Sequence, residues 1–492
     1  MRYPDKKNPF NTQVFKKEGY AVIDMLADYL EAAMERSEDM AVLPDHDPNA
    51  LAEEYYISLK RGAAEPFTDF LHKAVKESNH LHHPSYIGHQ VTSPLPQLAI
   101  THLATSLLNN GAAIFEMGPV AMAMERNVIQ YFSALAGFGD DADGIFTHGG
   151  SAGNLTAMLA ARQIGSDYNI WEEGVRSDRK IGFIVTGESH YCIARNVKIM
   201  GLGSGSLITV PQDNRYRMDT GKLAGALQKA ESQGVRVVAV IANSCSTATG
   251  SYDDLETIGS FCRDNNLWLH VDGAHGMAAL LSDRYRHLLK GIEYADSLVI
   301  DFHKMLLVPA LNTMVLFRNG NHSYETFAQK ARYLFDRRKE NDNEWYNGAK
   351  RTLECTKSSL GLIAFTALKY YGKEYYGEYI ESRYDLAKEF AAMVNQSDNF
   401  ELATEPQANI VCFRYHDQSD DNYLNSLNSK IRERVVKSGR FYIVEAELAD
   451  KIWLRVTIIN PLTSAEVLCS LLMYISDVAC AIQDDQPEDI VT

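Results

Sequence analysis

Between residues 140 and 320, short β-rich runs alternate with stretches that have helical apolar spacing. Helical spacing is found over 222–232 and 255–265, between successive runs. Continuous apolar strands separated by helices are typical of a mostly parallel sheet that is covered on both faces. The predicted fold class is therefore α/β, with strands at Ile181–Val185, Val235–Ile241, Leu267–Val271, Ser297–Ile300 and Met314–Phe317.

The bulk composition limits the partners of the chain. Its 492 residues are expected to form more than one packed unit. A formal charge of -16 would repel a phosphate backbone, so nucleic acid is not an expected partner. The seven cysteines include no Cys-x-x-Cys pair, and neither the polar N-terminus nor any apolar run reads as a membrane segment. We predict a cytoplasmic protein that holds no metal and does not contact a membrane.

Three segments are predicted along the chain. An N-terminal helical segment, 1–80, contains an amphipathic helix near Val22–Ala33 that packs either on its own domain or on a partner subunit. A large domain, 81–375, begins with an ordered loop and ends in a helix that starts near Ser358. A small domain, 376–492, has strands at Ile410–Tyr415 and Ile452–Ile458.

Two residues at strand ends suggest cofactor chemistry. Asp272 ends one β-rich run, and Lys304 follows the next run after Asp301, Phe302 and His303. Ligands gather outside the carboxyl ends of parallel strands. A lysine there can form an imine with an aldehyde, and an aspartate can keep the pyridine nitrogen of pyridoxal 5'-phosphate (PLP) protonated. Taken singly, each has an ordinary alternative: a turn for Asp272 and a solvated surface for Lys304.

Further residues near strand ends suit the same cofactor. The stretch 147–154, with Gly150 and Ser151, precedes a helix-forming run and could bind phosphate, although a plain helix cap is the alternative. His190 could stack on an aromatic ring or be an ordinary loop histidine. The methyl group of Ala274 is small enough to let a ring lie close.

In combination these motifs resemble the group II PLP-dependent amino acid decarboxylases, which include aromatic-L-amino-acid, glutamate, cysteine sulfinate and 2,4-diaminobutyrate decarboxylases. The resemblance runs from about residue 20 to 465. The matching stretches are His83-Pro84-Ser85-Tyr86, 149–154, Ser189-His190-Tyr191, 270–274, Arg286-His287-Leu288-Leu289, Ala295-Asp296-Ser297 and His303-Lys304.

The resemblance implies a PLP-dependent transferase fold of type I, with a seven-stranded sheet, and a role for each matching residue. Lys304 would form the imine, Asp272 would face the pyridine nitrogen and His190 would stack on the ring. Gly150, Ser151 and His303 would contact the phosphate, Thr247 would lie near the 3'-oxygen, and Ala274 would also contact the cofactor. Met305 stands where relatives commonly have tryptophan, and Asp301 where many have asparagine.

The resemblance also concerns the substrate and the proton. Tyr333 matches the loop tyrosine that protonates the carbanion after carbon dioxide leaves, and Arg455 matches an arginine that meets a substrate carboxylate. His89 and Gln90 are further substrate-binding candidates. Ser358 and Ser359 replace an arginine that many relatives carry, so an ion pair or a carboxylate contact is expected to be missing. A homodimer with active sites at the subunit interface is implied.

The expected reaction is decarboxylation of an L-amino acid to an amine and carbon dioxide. One alternative is a decarboxylating aldehyde synthase, against which Tyr333 argues. Another is an aminotransferase of the same fold. A third, a non-catalytic homologue that acts as a binding protein, is disfavoured by the intact Asp272 and Lys304. Aromatic, acidic and diamino substrates all remain open.

Overall fold

The computed structural model describes residues 8–35, 40–56, 65–327 and 344–484. They belong to two compact units. The small unit comprises Met1–His89, Glu389–Ala403 and Cys412–Thr492, and the large unit comprises Gln90–Lys388 and Thr404–Val411. In this division the N-terminal segment groups with the C-terminal residues. The three-segment boundaries expected from the sequence stay a prediction.

The helices and strands alternate through the large unit as the sequence pattern predicts. The helices are α1 (Thr12–Met34), α2 (Pro48–Glu54), α3 (Phe67–Lys76), α4 (Pro96–Leu108), α5 (Pro119–Leu135), α6 (Gly150–Gly165), α7 (Ile170–Glu173), α8 (Tyr191–Ile199), α9 (Leu223–Ser232), α10 (Leu255–Asp264), α11 (Asn321–Phe327), α12 (Leu360–Asn395), α13 (Asp421–Lys437) and α14 (Ala465–Asp484). The strands are β1 (Asp143–Thr147), β2 (Lys180–Thr186), β3 (Leu207–Val210), β4 (Val235–Asn243), β5 (Trp268–Asp272), β6 (Ser297–Asp301), β7 (Thr313–Phe317), β8 (Phe400–Leu402), β9 (Ile410–Tyr415), β10 (Val444–Leu448) and β11 (Lys451–Thr457).

The large unit is built on a seven-stranded sheet in the order β1-β7-β6-β5-β4-β2-β3. The pairs from β3 to β6 are parallel, whereas β7 is antiparallel to both of its neighbours, β1 and β6. Six strands therefore point the same way, and their carboxyl ends share one edge of the sheet. The predicted α/β fold with a mostly parallel seven-stranded sheet is confirmed.

Helix α6 lies close against this sheet because its inner face is small. Its buried side chains include Ala157, Ala160 and Ala161. A Cβ atom on Gly165 would lie 2.8 Å from the Cβ of Val238, so a larger residue there would push the helix away. The close contact at the last residue holds α6 against the sheet, and the first residue of the helix, Gly150, lies at the edge where the strands end.

The small unit has its own four-stranded sheet, in the order β10-β11-β9-β8. Helices α13 and α14 bury apolar side chains such as Leu427 and Ile431 of the first and Leu471 and Ile475 of the second. By length and composition, α14 could also cross a membrane, with a mean hydropathy of 1.7. The buried helix of a soluble core has the same composition, so this property alone does not indicate a membrane protein.

A buried ion pair closes the free edge of the large sheet at β1. Lys357 Nζ lies 3.1 Å from Glu125 Oε1 and donates a 2.8 Å hydrogen bond to the carbonyl of Phe146, while the same carboxylate oxygen accepts from the Phe146 N–H at 3.2 Å. The two charged side chains are 0% and 3% exposed. The pair therefore satisfies both backbone groups of an edge residue.

We expect Lys357→Met to lower the free energy of unfolding by about 3–5 kcal/mol, because the Glu125 carboxylate would stay buried without a cation. Chemical denaturation of the purified variant measures this. The double variant Glu125→Gln/Lys357→Met removes the uncompensated charge and keeps an acceptor for Phe146, so it should recover most of the loss. A double variant no more stable than the single one would contradict the explanation.

Candidate active site

A cavity of about 330 Å³ lies in the large unit at the edge where the parallel strands end. The last residues of β4, β5 and β6, namely Asn243, Asp272 and Asp301, all line it. Predicted site residues found together in its lining are Gln90, Gly150, Ser151, His190, Thr247, Asp272, Ala274, His303 and Lys304. These nine residues come from six separate stretches of the sequence and meet in one cavity, as the strand-end rule predicts.

Lys304 is anchored at this edge by the carboxylate of Asp301. Its Nζ lies 3.3 Å from Asp301 Oδ2, and Thr313 on the neighbouring strand donates to the other oxygen at 2.5 Å. Asp301 is almost fully buried, while the Lys304 side chain keeps 17% of its surface exposed. The Asp301 carboxylate therefore compensates the charge of Lys304, while the amine of Lys304 stays accessible from the cavity.

His303 is oriented by the backbone of a neighbouring loop. Its Nδ1 lies 2.9 Å from the carbonyl oxygen and 3.1 Å from the N–H of Asn312, and its Nε2 lies 3.6 Å from Asp301 Oδ2. When Nδ1 accepts from that N–H, the proton of a neutral ring sits on Nε2. His303 can then offer Nε2–H as a donor in the cavity.

Asp272 is held by neutral donors rather than by a cation. Its Oδ2 accepts a 2.9 Å hydrogen bond from Asn154 Nδ2, and its Oδ1 accepts from the backbone N–H of Ala274 at 3.2 Å. The residue is 8% exposed and lines the cavity. Its charge is thus available to a positively charged group in the cavity.

The segment before α6 is shaped for an anion. Gly149 precedes the helix with φ 93 and ψ 155, a conformation that glycine adopts without strain, and brings no side chain to cap the helix. A Cβ on Gly150 would lie 3.0 Å from Asp301 Oδ2, so the close approach also requires glycine. Ser151 adds a hydroxyl group in the first turn. Free N–H groups and the positive end of the helix dipole suit a phosphate here.

His190 is fixed in one ring orientation because it caps α8. Its Nδ1 accepts a 3.2 Å hydrogen bond from the N–H of Cys192. Burial lowers the pKa of His190, although the negative charge of Asp272 acts in the opposite direction. A neutral, immobilised imidazole on the cavity wall is suited to stacking on a flat ring.

Three other lining residues, His148, Gly149 and Asn154, belong to the stretch 147–154 that the sequence analysis proposed for phosphate. The sequence analysis assigned no role to the remaining lining residues, which are Asn243, Cys245, Ser246, His275, Asp301 and Leu311. Asn243 ends β4, so the same strand-end rule that selects Asp272 could have found it. Leu311 follows in a loop with no periodic or motif signal, so only the fold reveals it.

The two serines that replace the usual arginine have partners of their own. Ser358 Oγ lies 3.0 Å from His148 Nε2, and His148 Nδ1 lies 2.7 Å from Glu354 Oε1. Ser359 donates a 2.9 Å hydrogen bond to the carbonyl of Asn110. At this position the chain therefore presents an imidazole held between a carboxylate and a hydroxyl group.

The remaining predicted site residues either lie in the small unit or fall outside the residues that the structure describes. Arg455 on β11 donates to Thr457 at 3.1 Å, and burial together with the charge of Arg455 lowers the pKa of His89. Tyr333 lies outside the described residues. The individual roles of the site residues stay predictions.

Comparison with known proteins agrees with this chemistry. A family model described as the pyridoxal-dependent decarboxylase conserved domain matches residues 67–416. The chain is 26% identical over 478 residues to an aromatic-L-amino-acid decarboxylase of Bacillus atrophaeus, covering 95% of this chain and 96% of that protein. It is 31% identical over 372 residues to the cysteine sulfinic acid decarboxylase of Homo sapiens, covering 73% and 75% respectively.

The fold agrees as well. The crystal structure of mouse CSAD has a TM-score of 0.85 and 25% sequence identity, covering 94% of this chain and 99% of that chain.

The site residues fit PLP: a glycine-lined helix N-terminus for the phosphate, an accessible lysine amine for the aldehyde, and a carboxylate with only neutral donors for the pyridine nitrogen. With the family model covering most of the sequence, the conclusion is that this chain belongs to the PLP-dependent amino acid decarboxylases.

Proposed function

We propose that this protein converts an L-amino acid into the corresponding amine and carbon dioxide. The observation that supports this proposal most directly is that the Lys304 amine, the Asp272 carboxylate and the glycine-lined N-terminus of α6 line one cavity. These three groups match the aldehyde, the ring nitrogen and the phosphate of the cofactor.

The chain supplies binding and orientation, while bound PLP supplies the electron sink for the electrons of the broken carboxylate bond. In this proposal Lys304 would hold the cofactor aldehyde, and Asp272 would keep the proton on the ring nitrogen. His190 would stack on the ring, and Ala274 would also contact the cofactor. Gly150, Ser151 and His303 would hold the phosphate, and Thr247 would contact the cofactor near its 3'-oxygen.

Gln90 is the best-placed candidate for substrate binding among the described residues. Its Nε2 is buried in the cavity lining, and no described group accepts a hydrogen bond from it. A buried amide without a partner costs free energy that a ligand acceptor can recover. We propose that Gln90 donates to the substrate, with Arg455 and His89 as further candidates.

We also propose that the protein acts as a homodimer, with active sites at the subunit interface. Large apolar side chains stay exposed on α1 and α4 in the single chain: Phe15, Tyr20, Ile23 and Leu26 on the first, and Ile100, Leu103, Leu107 and Leu108 on the second. Exposed apolar rows of this kind favour burial against a partner subunit. A cytoplasmic location is proposed from the sequence, whose cysteines form no disulfide pattern.

Lys304→Ala is expected to lower kcat/KM by about a thousandfold or more, because the amine that carries the cofactor is lost. The measurements are carbon dioxide release and the visible absorption of the purified protein with added PLP. Lys290→Ala, which removes a lysine that is 71% exposed, serves as the matched control and should behave like the wild type. Full turnover by the Lys304 variant would exclude the assignment.

Tyr333→Phe is expected to divert product from amine toward aldehyde and ammonia, because the resemblance assigns the final protonation to this hydroxyl group. Chromatographic quantification of amine and aldehyde after complete substrate consumption provides the measurement. Tyr370→Phe changes a tyrosine that is 76% exposed and should leave the product ratio unchanged. An unchanged amine yield from the Tyr333 variant would assign the proton to another group.

The substrate class can be identified by carbon dioxide release from the common amino acids together with ornithine, 2,4-diaminobutyrate and cysteine sulfinate. For the preferred substrate, Gln90→Leu should raise KM about tenfold, because the variant loses one hydrogen bond of about 1.4 kcal/mol. An unchanged KM would remove Gln90 from the substrate contacts.

A further inference from the structure

Behind Asp272, a line of buried polar side chains runs away from the cavity. Trp268 Nε1 donates to Ser297 Oγ at 2.8 Å, and Ser297 Oγ lies 2.9 Å from His270 Nδ1. His270 Nε2 lies 2.8 Å from Asn154 Oδ1, and Asn154 Nδ2 donates to Asp272 Oδ2 at 2.9 Å. Four hydrogen bonds thus connect β5, β6 and α6 in a single chain.

The direction of every hydrogen bond in this line is fixed by its ends. A carboxylate only accepts, so Asn154 must present its amide nitrogen to Asp272 and its oxygen to His270. His270 must then carry its proton on Nε2, which leaves Nδ1 as an acceptor for the Ser297 hydroxyl group. At the far end the indole of Trp268 can only donate, so Ser297 accepts from it. Every donor points toward Asp272.

The surroundings of His270 favour this arrangement. His270 and Ser297 are fully buried, and Asn154 is 1% exposed. Burial lowers the pKa of His270 to about 4, against the nearby negative charge of Asp272. The ring is therefore neutral near pH 7, as the acceptor role of Nδ1 requires.

We propose that Trp268, Ser297, His270 and Asn154 form a one-directional donor relay that positions the Asp272 carboxylate and thereby sets the affinity of the chain for PLP. These are positioning residues, since they act on the cofactor through Asp272. The inference rests on the proposed function, because the cofactor contact of Asp272 is part of it. The backbone donor at Ala274 fixes one carboxylate oxygen, and the relay fixes the other.

A purely structural network would make a different contribution. It would stabilise the fold, and its loss would lower the thermal midpoint of the cofactor-free protein without changing PLP affinity in the molecules that stay folded. A relay that positions Asp272 affects PLP affinity directly. The two readouts, affinity and thermal midpoint, therefore separate the explanations.

The sharpest test reverses one donor without changing size. In Asn154→Asp, a carboxylate oxygen replaces the amide nitrogen that faces Asp272, so repulsion replaces a hydrogen bond. We expect the PLP dissociation constant, measured by equilibrium dialysis of the folded protein, to rise at least about a hundredfold. An unchanged dissociation constant in a folded Asn154→Asp variant would overturn the relay.

His270 offers a graded test with a conservative rescue. His270→Leu removes both ring nitrogens and should raise the PLP dissociation constant about tenfold, whereas His270→Gln keeps an N–H toward Asn154 and should stay within about threefold of the wild type. His287→Gln, a change on the exposed surface, serves as the control for the substitution itself. Equal affinities for the Leu and Gln variants would contradict the assigned donor. A wild type that binds no PLP would instead refute the proposed function.

The protonation state of His270 can be tested without cofactor. Because its folded pKa lies below the ordinary 6.5, the unfolded chain takes up a proton between about pH 6.5 and 4 that the folded chain excludes. As the pH falls through that interval, the wild type should therefore lose more stability than His270→Gln. The loss is measured as the decrease in the urea midpoint of unfolding. Asp272, the charged group that acts on this ring, and the neutral Asn154, Ser297 and Trp268 are present in both proteins. Equal losses would show that folded His270 takes up the proton as readily as unfolded His270, so the fold would not hold the ring neutral and the relay would be overturned.

Discussion

The common direction of the strands is the constraint on which the site depends. Because β4, β5 and β6 run parallel, their last residues, Asn243, Asp272 and Asp301, reach the same edge. Helix α6 starts at that edge and lies tightly on the sheet through its small residues. Chemistry that is spread over more than 150 residues of sequence is thereby concentrated in one cavity.

Much of this arrangement could be predicted from the sequence, for physical reasons that also explain what was missed. The buried inner strands of the sheet are continuous apolar runs, so β2, β4, β5, β6 and β7 were predicted close to their observed bounds. Strand β1 contains a glycine and follows acidic residues, and β3 has four residues at the sheet margin, so neither gives a strong signal. The ends of strongly apolar strands could be predicted from the sequence. Weakly patterned edge strands form because the fold supplies a neighbouring strand to pair with.

The same distinction applies within the site. Lys304, Asp272 and His190 follow strands, so their meeting could be expected from local pattern and strand direction. The hydrogen bonds between His148, Glu354 and Ser358 join residues more than 200 positions apart. No spacing rule predicts such a contact, and the loss of an arginine from the sequence did not reveal which group stands there. Long-range side-chain pairs of this type become visible only with the tertiary structure.

The two carboxylates at neighbouring strand ends differ in their donors, and the difference explains why they are not interchangeable. Asp301 has a lysine amine 3.3 Å away, so its charge is already compensated within the chain. Asp272 receives hydrogen bonds from an amide side chain and a backbone N–H, which orient it and leave its charge uncompensated. A cationic ring nitrogen in the cavity would therefore be attracted to Asp272. The neutral polar residues behind Asp272 therefore distinguish it from Asp301, which holds the amine of Lys304.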